Sequence, residues 1–168
     1  ALNSGLANLE LRSLAMAPSN PAVLYAGTTD GVFKTDNGGA SWNGTASLPA
    51  DRVRGLAVHP TNAQVVYAGL IGHGVYHSND GGGSWQAKTG GLAHLEARAL
   101  AIDPLAPGTI YVGWNDNGGV YRSTNGGDNW SQWNRNLDER RIKSLLVDGG
   151  WCNTVHAGTT NGGWYYGP

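Results

Sequence analysis

Short apolar runs recur along the chain in sets, and polar segments rich in Gly, Pro and Asn separate them. The first run of each set reads Leu11-Arg12-Ser13-Leu14-Ala15-Met16, Val53-Arg54-Gly55-Leu56-Ala57-Val58, Ala97-Arg98-Ala99-Leu100-Ala101-Ile102 and Ile142-Lys143-Ser144-Leu145-Leu146-Val147. The second reads Val23-Leu24-Tyr25-Ala26-Gly27, Val65-Val66-Tyr67-Ala68-Gly69, Thr109-Ile110-Tyr111-Val112-Gly113 and Thr154-Val155-His156-Ala157-Gly158. The third reads Gly31-Val32-Phe33-Lys34, Gly74-Val75-Tyr76-His77, Gly119-Val120-Tyr121-Arg122 and Gly163-Trp164-Tyr165-Tyr166, and a fourth run opens at Trp42, Trp85 and Trp130. Runs this short, bounded by turn-forming residues, predict strands, and no stretch holds a helical apolar period. The chain reads as all-β: four repeats, each an antiparallel sheet of four strands.

A turn between the third and fourth runs sets the repeat. It reads Thr35-Asp36-Asn37-Gly38-Gly39-Ala40-Ser41-Trp42, then Ser78-Asn79-Asp80-Gly81-Gly82-Gly83-Ser84-Trp85, then Ser123-Thr124-Asn125-Gly126-Gly127-Asp128-Asn129-Trp130, with tryptophans 43 and 45 residues apart. A hydroxyl and an Asx side chain two residues on can accept backbone N–H groups and fix a tight turn. The glycines after them allow positive φ. The indole closing each turn, at about 150–250 Å2 and roughly 25 cal/mol per Å2, contributes several kcal/mol when buried.

These turns resemble the Asp-box (BNR) repeat, S/T-x-D-x-G-x-x-W. Ser78, Asp80, Gly82 and Trp85 match it fully; Thr35, Asn37, Gly39 and Trp42, and Ser123, Asn125, Gly127 and Trp130, match it with Asn in place of Asp. Asn accepts a hydrogen bond without bringing charge, so the box reads as a structural turn and not a metal or catalytic site. The resemblance implies a β-propeller of four-stranded antiparallel blades, four in this chain. It forms one domain over 1–168, with repeats at 7–49, 50–92, 93–137 and 138–168. The fourth repeat stops before any box, and Ala1-Leu2-Asn3-Ser4-Gly5-Leu6 matches Ala87-Lys88-Thr89-Gly90-Gly91-Leu92, so residues 1–6 are expected to complete the last blade. Three assemblies satisfy that pairing: a closed four-blade ring, an eight-bladed ring of two chains, or a piece of a longer propeller.

Composition narrows the partners. A formal charge of −1, with 14% charged residues among 168, gives no broad attraction to nucleic acid or membrane surfaces. No apolar run is long enough for a spanning helix, and no membrane insertion is expected. Cys152 stands alone, which excludes an internal disulfide, and no cofactor or metal motif can be drawn. Abundant Trp, Asn, Thr and Gly with few Lys resembles secreted or periplasmic carbohydrate-active proteins.

Candidate chemistry follows from the repeat. The propeller resemblance implies that the first strand lines a central channel, with its start and the loops between second and third strands on the ligand side. Arg12, Arg54, Arg98 and Lys143 occupy one equivalent place there and together form a ring able to hold a carboxylate, phosphate or sulfate. The competing expectation pairs each with a nearby acid: Glu10, Asp51, Glu96 or Asp138. Variable loops on a repeated scaffold are the usual place for binding residues. Trp114, Asn115 and Asp116 would suit a sugar, the indole stacking on it while the polar pair holds its hydroxyls, and His73 is a further loop candidate. Asp30 and Asp116 are the weak catalytic candidates, ahead of Asp103 and Asp148, since glycoside hydrolysis requires two carboxylates facing one bond. The repeat layout looks like xyloglucanase-type glycoside hydrolases, sortilin-type receptors and photosystem-assembly factors, whereas the lack of Phe-Arg-Ile-Pro argues against a sialidase. The expected role is a non-catalytic binding or assembly module for a carbohydrate or anionic ligand, with a glycoside hydrolase and a protein-interaction scaffold as alternatives. A homodimer is among the expected assemblies.

Overall fold

The computed structural model describes residues 3–49, 51–134, 137, 140–150, 154–162 and, by main chain, 164–167. Among them fifteen strands form four antiparallel sheets in chain order, with no helix. The first sheet holds β1 (Ser13–Ala17), β2 (Asn20–Gly27), β3 (Val32–Thr35) and β4 (Asn43–Gly44), and the second β5 (Val53–His59), β6 (Asn62–Leu70), β7 (Gly74–Ser78) and β8 (Gln86–Ala87). The third holds β9 (Ala97–Ile102), β10 (Ile110–Trp114), β11 (Val120–Ser123) and β12 (Ser131–Gln132); the fourth holds β13 (Ile142–Val147), β14 (Val155–Thr159) and β15 (Trp164–Gly167). Each sheet runs in simple meander order from its first strand outward. These are the blades of a β-propeller.

The apolar core lies between blades. Val23, Tyr25 and Val32 meet Val53, Val66 and Leu70 in the first seam; Ala57, Tyr67 and Val75 meet Leu100, Val112 and Trp114 in the second; Ala99, Tyr111 and Val120 meet Ile142, Val147 and Val155 in the third. Tyrosine hydroxyls tie the outer part of two seams: Tyr25 donates to the Ala63 carbonyl (2.8 Å) and Tyr67 to the Gly126 carbonyl (3.1 Å). Burial is the main cause that pushes both phenols up to about 12, so both remain neutral donors.

Glycine near the end of the second strand lets the next blade approach in the first three blades. A methyl on Gly27 would lie 2.7 Å from the Val53 carbonyl oxygen, one on Gly69 3.0 Å from that of Ala97, and one on Gly113 2.7 Å from Ile142 Cβ.

The three repeated turns form the same bonds. Buried hydroxyls of Thr35, Ser78 and Ser123 donate to Asn37, Asp80 and Asn125 at 2.8, 2.8 and 2.9 Å, and accept the N–H of Gly39, Gly82 and Gly127 at 3.0, 2.8 and 2.9 Å. The Asx oxygens then accept the N–H of Ser41, Ser84 and Asn129 at 2.9, 2.9 and 3.0 Å. Hydrogen bonds from Ser84 and Ser78 lower the Asp80 carboxyl from 3.8 to about 2. A carboxyl lowered on folding adds stability that is complete above its unfolded value and fades as pH falls through its folded one. Asp80→Asn keeps the acceptor that Asn37 and Asn125 supply. It is therefore expected to flatten the drop in Tm between about pH 5 and pH 2, read from parallel thermal melts.

The fourth sheet has three strands among the described residues. Of the N-terminal segment expected to complete it, Ala1 and Leu2 lie outside the described residues, and residues 3–6 dock on the first blade. The Ser4 carbonyl accepts the Trp42 N–H at 2.8 Å, just as the Gly90 carbonyl accepts that of Trp130 at 2.9 Å. Gly5 and Gly91 share a positive φ of 85° and 83°. The segment thus has the build of a blade's closing tail, and what it caps is the following blade. Inner strands pack β1 on β5, β5 on β9 and β9 on β13, with no comparable packing of β13 on β1. Large side chains (Tyr25, Leu70, Trp114) fill the seams between sheets, and three such seams join the four blades in series.

Candidate functional site

In the second, third and fourth blades the inner-strand cation sits on a backbone irregularity. In the second blade Val53 pairs with Leu70 and Gly55 with Gly69, so Arg54 is an extra residue; Arg98 and Lys143 are skipped in the same way in the third and fourth. A β-bulge of this kind leaves its residue outside the in-out alternation and re-aims its side chain. Three of the four cations share one field. Arg54 is half-buried, and its pKa is lowered by burial first, then by Arg98, Arg12 and Arg52. Its Nε is buried without a hydrogen-bond partner.

Among the described residues, one ion pair joins this set to the acids expected to neutralise it. Arg12 pairs with Glu10 at 2.9 Å. Arg54 and Arg98 have no ion-pair partner among the described residues, since Asp51 faces His73 at 4.0 Å and Glu96 lines a separate cavity. Lys143 donates to Asn115 at 2.5 Å, and Asp138 lies outside the described residues.

That cavity, of about 350 Å3, opens between the third and fourth blades and is lined by Glu96, Asn115, Asp116, Arg141, Lys143 and Thr160. It brings together the expected residues Lys143, Asn115 and Asp116. Arg141 and Thr160 were not legible as site residues, although one signal was present: the position before each inner strand reads Glu10, Arg52, Glu96, Arg141, alternating in sign. Asp116 is fixed by His94 at 2.8 Å and by the Gly118 N–H at 3.3 Å. Asp30 accepts from Asn8 at 2.5 Å in the first blade. Asp103 is buried and caps the Leu105 and Ala106 N–H groups at 2.9 and 3.0 Å, and Asp148 accepts the Gly150 N–H at 2.5 Å. Both are turn caps.

Trp114 corrects the sequence expectation. It is fully buried, edge-on to Tyr121 at 6.0 Å and tilted against His94 at 6.3 Å, so it offers no face to a sugar. The bulge at Arg98 brings Trp114 opposite Ala97, which turns the indole into the seam.

No protein-family model and no curated protein matches the chain. Solved structures do. The GH74 xyloglucanase from Xanthomonas campestris aligns over 98% of this chain and 32% of its own, at 17% identity and TM-score 0.71. The extracellular domain of a hybrid two-component system protein from B. thetaiotaomicron aligns over 97% and 24%, at 14% identity and TM-score 0.74. YCF48 bound to D1 peptide aligns over 94% and 52%, at 18% identity and TM-score 0.57. The fold is a β-propeller. The chain spans 26–32% of the GH74 enzymes it matches, and the likeness concerns architecture.

Proposed function

We propose that this propeller chain is a non-catalytic binding or assembly module of the Asp-box type, holding an anionic group of a carbohydrate or protein on its axial face. The observation that carries this is Arg54: a half-buried guanidinium, repelled by Arg98, Arg12 and Arg52, whose Nε lacks a partner. A bound carboxylate or sulfate would supply what the protein withholds, because guanidinium forks match such groups. Arg98, without an ion pair among the described residues, stands beside it. The related folds support a ligand-binding role in general terms, one being bound to a peptide and others being extracellular domains of one-component and hybrid two-component system proteins. An extracellular or periplasmic place fits the same reading.

The test is calorimetric titration with inorganic sulfate and with a uronic-acid oligosaccharide. Arg54→Ala and Arg98→Ala are each expected to weaken binding at least about tenfold with unchanged circular dichroism, the scale for losing a charged hydrogen bond. Affinity equal to that of the parent protein would remove the axial site.

A hydrolase reading rests on a different observation: Glu96 and Asp116 are two carboxylates lining one cavity. The fold likeness to a xyloglucanase is its second support. Release of reducing sugar from a β-glucan, lost in Asp116→Asn, would put it first.

A further inference from the structure

The cavity between the third and fourth blades is lined by polar residues alone, and its charges balance. Two carboxylates, Glu96 and Asp116, face two cations, Arg141 and Lys143, with the Asn115 amide and the Thr160 hydroxyl among them. The carboxylates are not spent on those cations. Glu96 is half-buried and has no hydrogen-bond or ion-pair partner among the described residues. Asp116 is held from its own loop and from His94: Oδ2 meets His94 Nδ1 at 2.8 Å, and Oδ1 accepts the Gly118 N–H at 3.3 Å. The Lys143 ammonium donates to Asn115 Oδ1 at 2.5 Å.

The groups that hold these side chains are themselves fixed. The His94 ring lies 6.3 Å from both Trp114 and Tyr121, and a methyl on Gly118 would come within 2.9 Å of it. Asn117, at φ 71°, is the one non-glycine residue with positive φ among the described residues, and its turn brings the Gly118 N–H back to Asp116. Main-chain bonds join the loops around the cavity: Gly119 N–H donates to the Arg140 carbonyl at 2.9 Å and Thr160 N–H to that of Arg141 at 3.1 Å.

A site that keeps its acids and cations in place is preorganised for a ligand carrying both charges. A lone anion would meet Glu96 and Asp116 as like charges, and a lone cation would meet Arg141 and Lys143. A neutral sugar would desolvate Glu96 without giving it a counter-charge. We propose that the cavity binds a small zwitterion of the free α-amino-acid type, its ammonium between Glu96 and Asp116 and its carboxylate on Lys143 and Arg141. The ammonium brings three donors to the carboxylate oxygens, and the guanidinium fork matches the ligand's own carboxylate. A cavity of about 350 Å3 is large enough for a molecule of this size. This inference goes beyond the anion reading, since Arg54 and Arg98 do not line the cavity, and it gives Glu96 and Asp116 a binding role in place of hydrolysis.

Calorimetric titration of the full chain with L-alanine at neutral pH, beside propionate and ethylamine, tests it. Each comparator keeps one of alanine's two charges. Alanine is expected to bind in the millimolar range or tighter, and both comparators at least about tenfold more weakly, the scale for losing a charge-assisted hydrogen bond. Glu96→Gln keeps the side chain's shape and removes its charge. It is expected to weaken alanine at least about tenfold and to bring propionate level with it or ahead. Lys143→Met is expected to do the converse, bringing ethylamine level with alanine. A damaged fold would weaken every ligand alike, so the exchange of preference is the readout that matters. Propionate binding the parent protein as tightly as alanine would overturn the zwitterion site. So would the absence of alanine binding, or a β-glucan oligosaccharide binding where alanine does not. Failure of sulfate to bind at Arg54 and Arg98 would leave these outcomes untouched, so the two readings fall separately.

Discussion

Trp114→Ala is expected to lower folding stability by about 3–5 kcal/mol, the range for removing a large buried aromatic. The indole is fully buried in the seam between the second and third blades, against Tyr121 and beside Leu100 and Val112. Truncation therefore opens a void between two blades as well as within one. Its Nε1–H is buried without a partner, so part of the indole's presence already costs stability. Trp114→Phe removes that orphan while keeping most of the apolar volume, and is expected to cost well under half as much. Urea unfolding followed by circular dichroism measures both. A Trp114→Ala protein as stable as its parent, yet unable to bind a glycan, would restore the sugar-stacking role that burial removes.

How far the sequence reveals this molecule depends on whether a feature is local. Strand placement was legible because each run is short, apolar and bounded by turn formers, and the three turns close through bonds between residues two to four apart. The glycines after Tyr25-Ala26, Tyr67-Ala68 and Tyr111-Val112 were visible, but their purpose was not: it lies in Val53, Ala97 and Ile142, some 30 residues further on. The bulges escaped for a related reason. Val53-Arg54-Gly55 alternates like any strand, and only pairing with Leu70 and Gly69 shows Arg54 to be supernumerary. Trp114 was misplaced because the same slip at Arg98 sets its register. The packing between blades was the least legible feature, since it is a property of filled seams rather than of any one run.

The axial cations show how one residue earlier in the chain changes an equivalent side chain. Arg12 follows Glu10 by two positions and is paired with it. Arg54 follows Arg52 by two positions and is repelled by it. The repeat therefore delivers four cations to equivalent places, but an acid two positions earlier does not by itself neutralise them: Glu96 precedes Arg98 as Glu10 precedes Arg12, and it lines the cavity beside Lys143 instead. That division, one paired guanidinium beside two without ion-pair partners among the described residues, is what the proposed anion site at Arg54 and Arg98 rests on.

Gly113→Ala carries the second large expected effect and tests the seams directly. The added methyl would lie 2.7 Å from Ile142 Cβ and 3.3 Å from Leu145 Cδ1, and Ile142 is itself fully buried, with a branched side chain that has little room to turn. The blades must separate or the inner strand must shift, and overpacking of this kind costs about 3 kcal/mol. In a chain of this length that lowers Tm by roughly 6–12 °C. Gly27→Ala is expected to behave alike, because the contact there is with the Val53 carbonyl, main chain that cannot rotate away. Gly44→Ala is the internal comparison: its methyl would sit 3.8 Å from Phe33 Cε1, an ordinary contact on an exposed outer strand. That change is expected to be neutral or to stabilise by about 0.5 kcal/mol, since alanine has fewer unfolded conformations to lose. Equal effects of the three substitutions in thermal melts would mean that the glycines serve local backbone freedom rather than the approach of neighbouring blades.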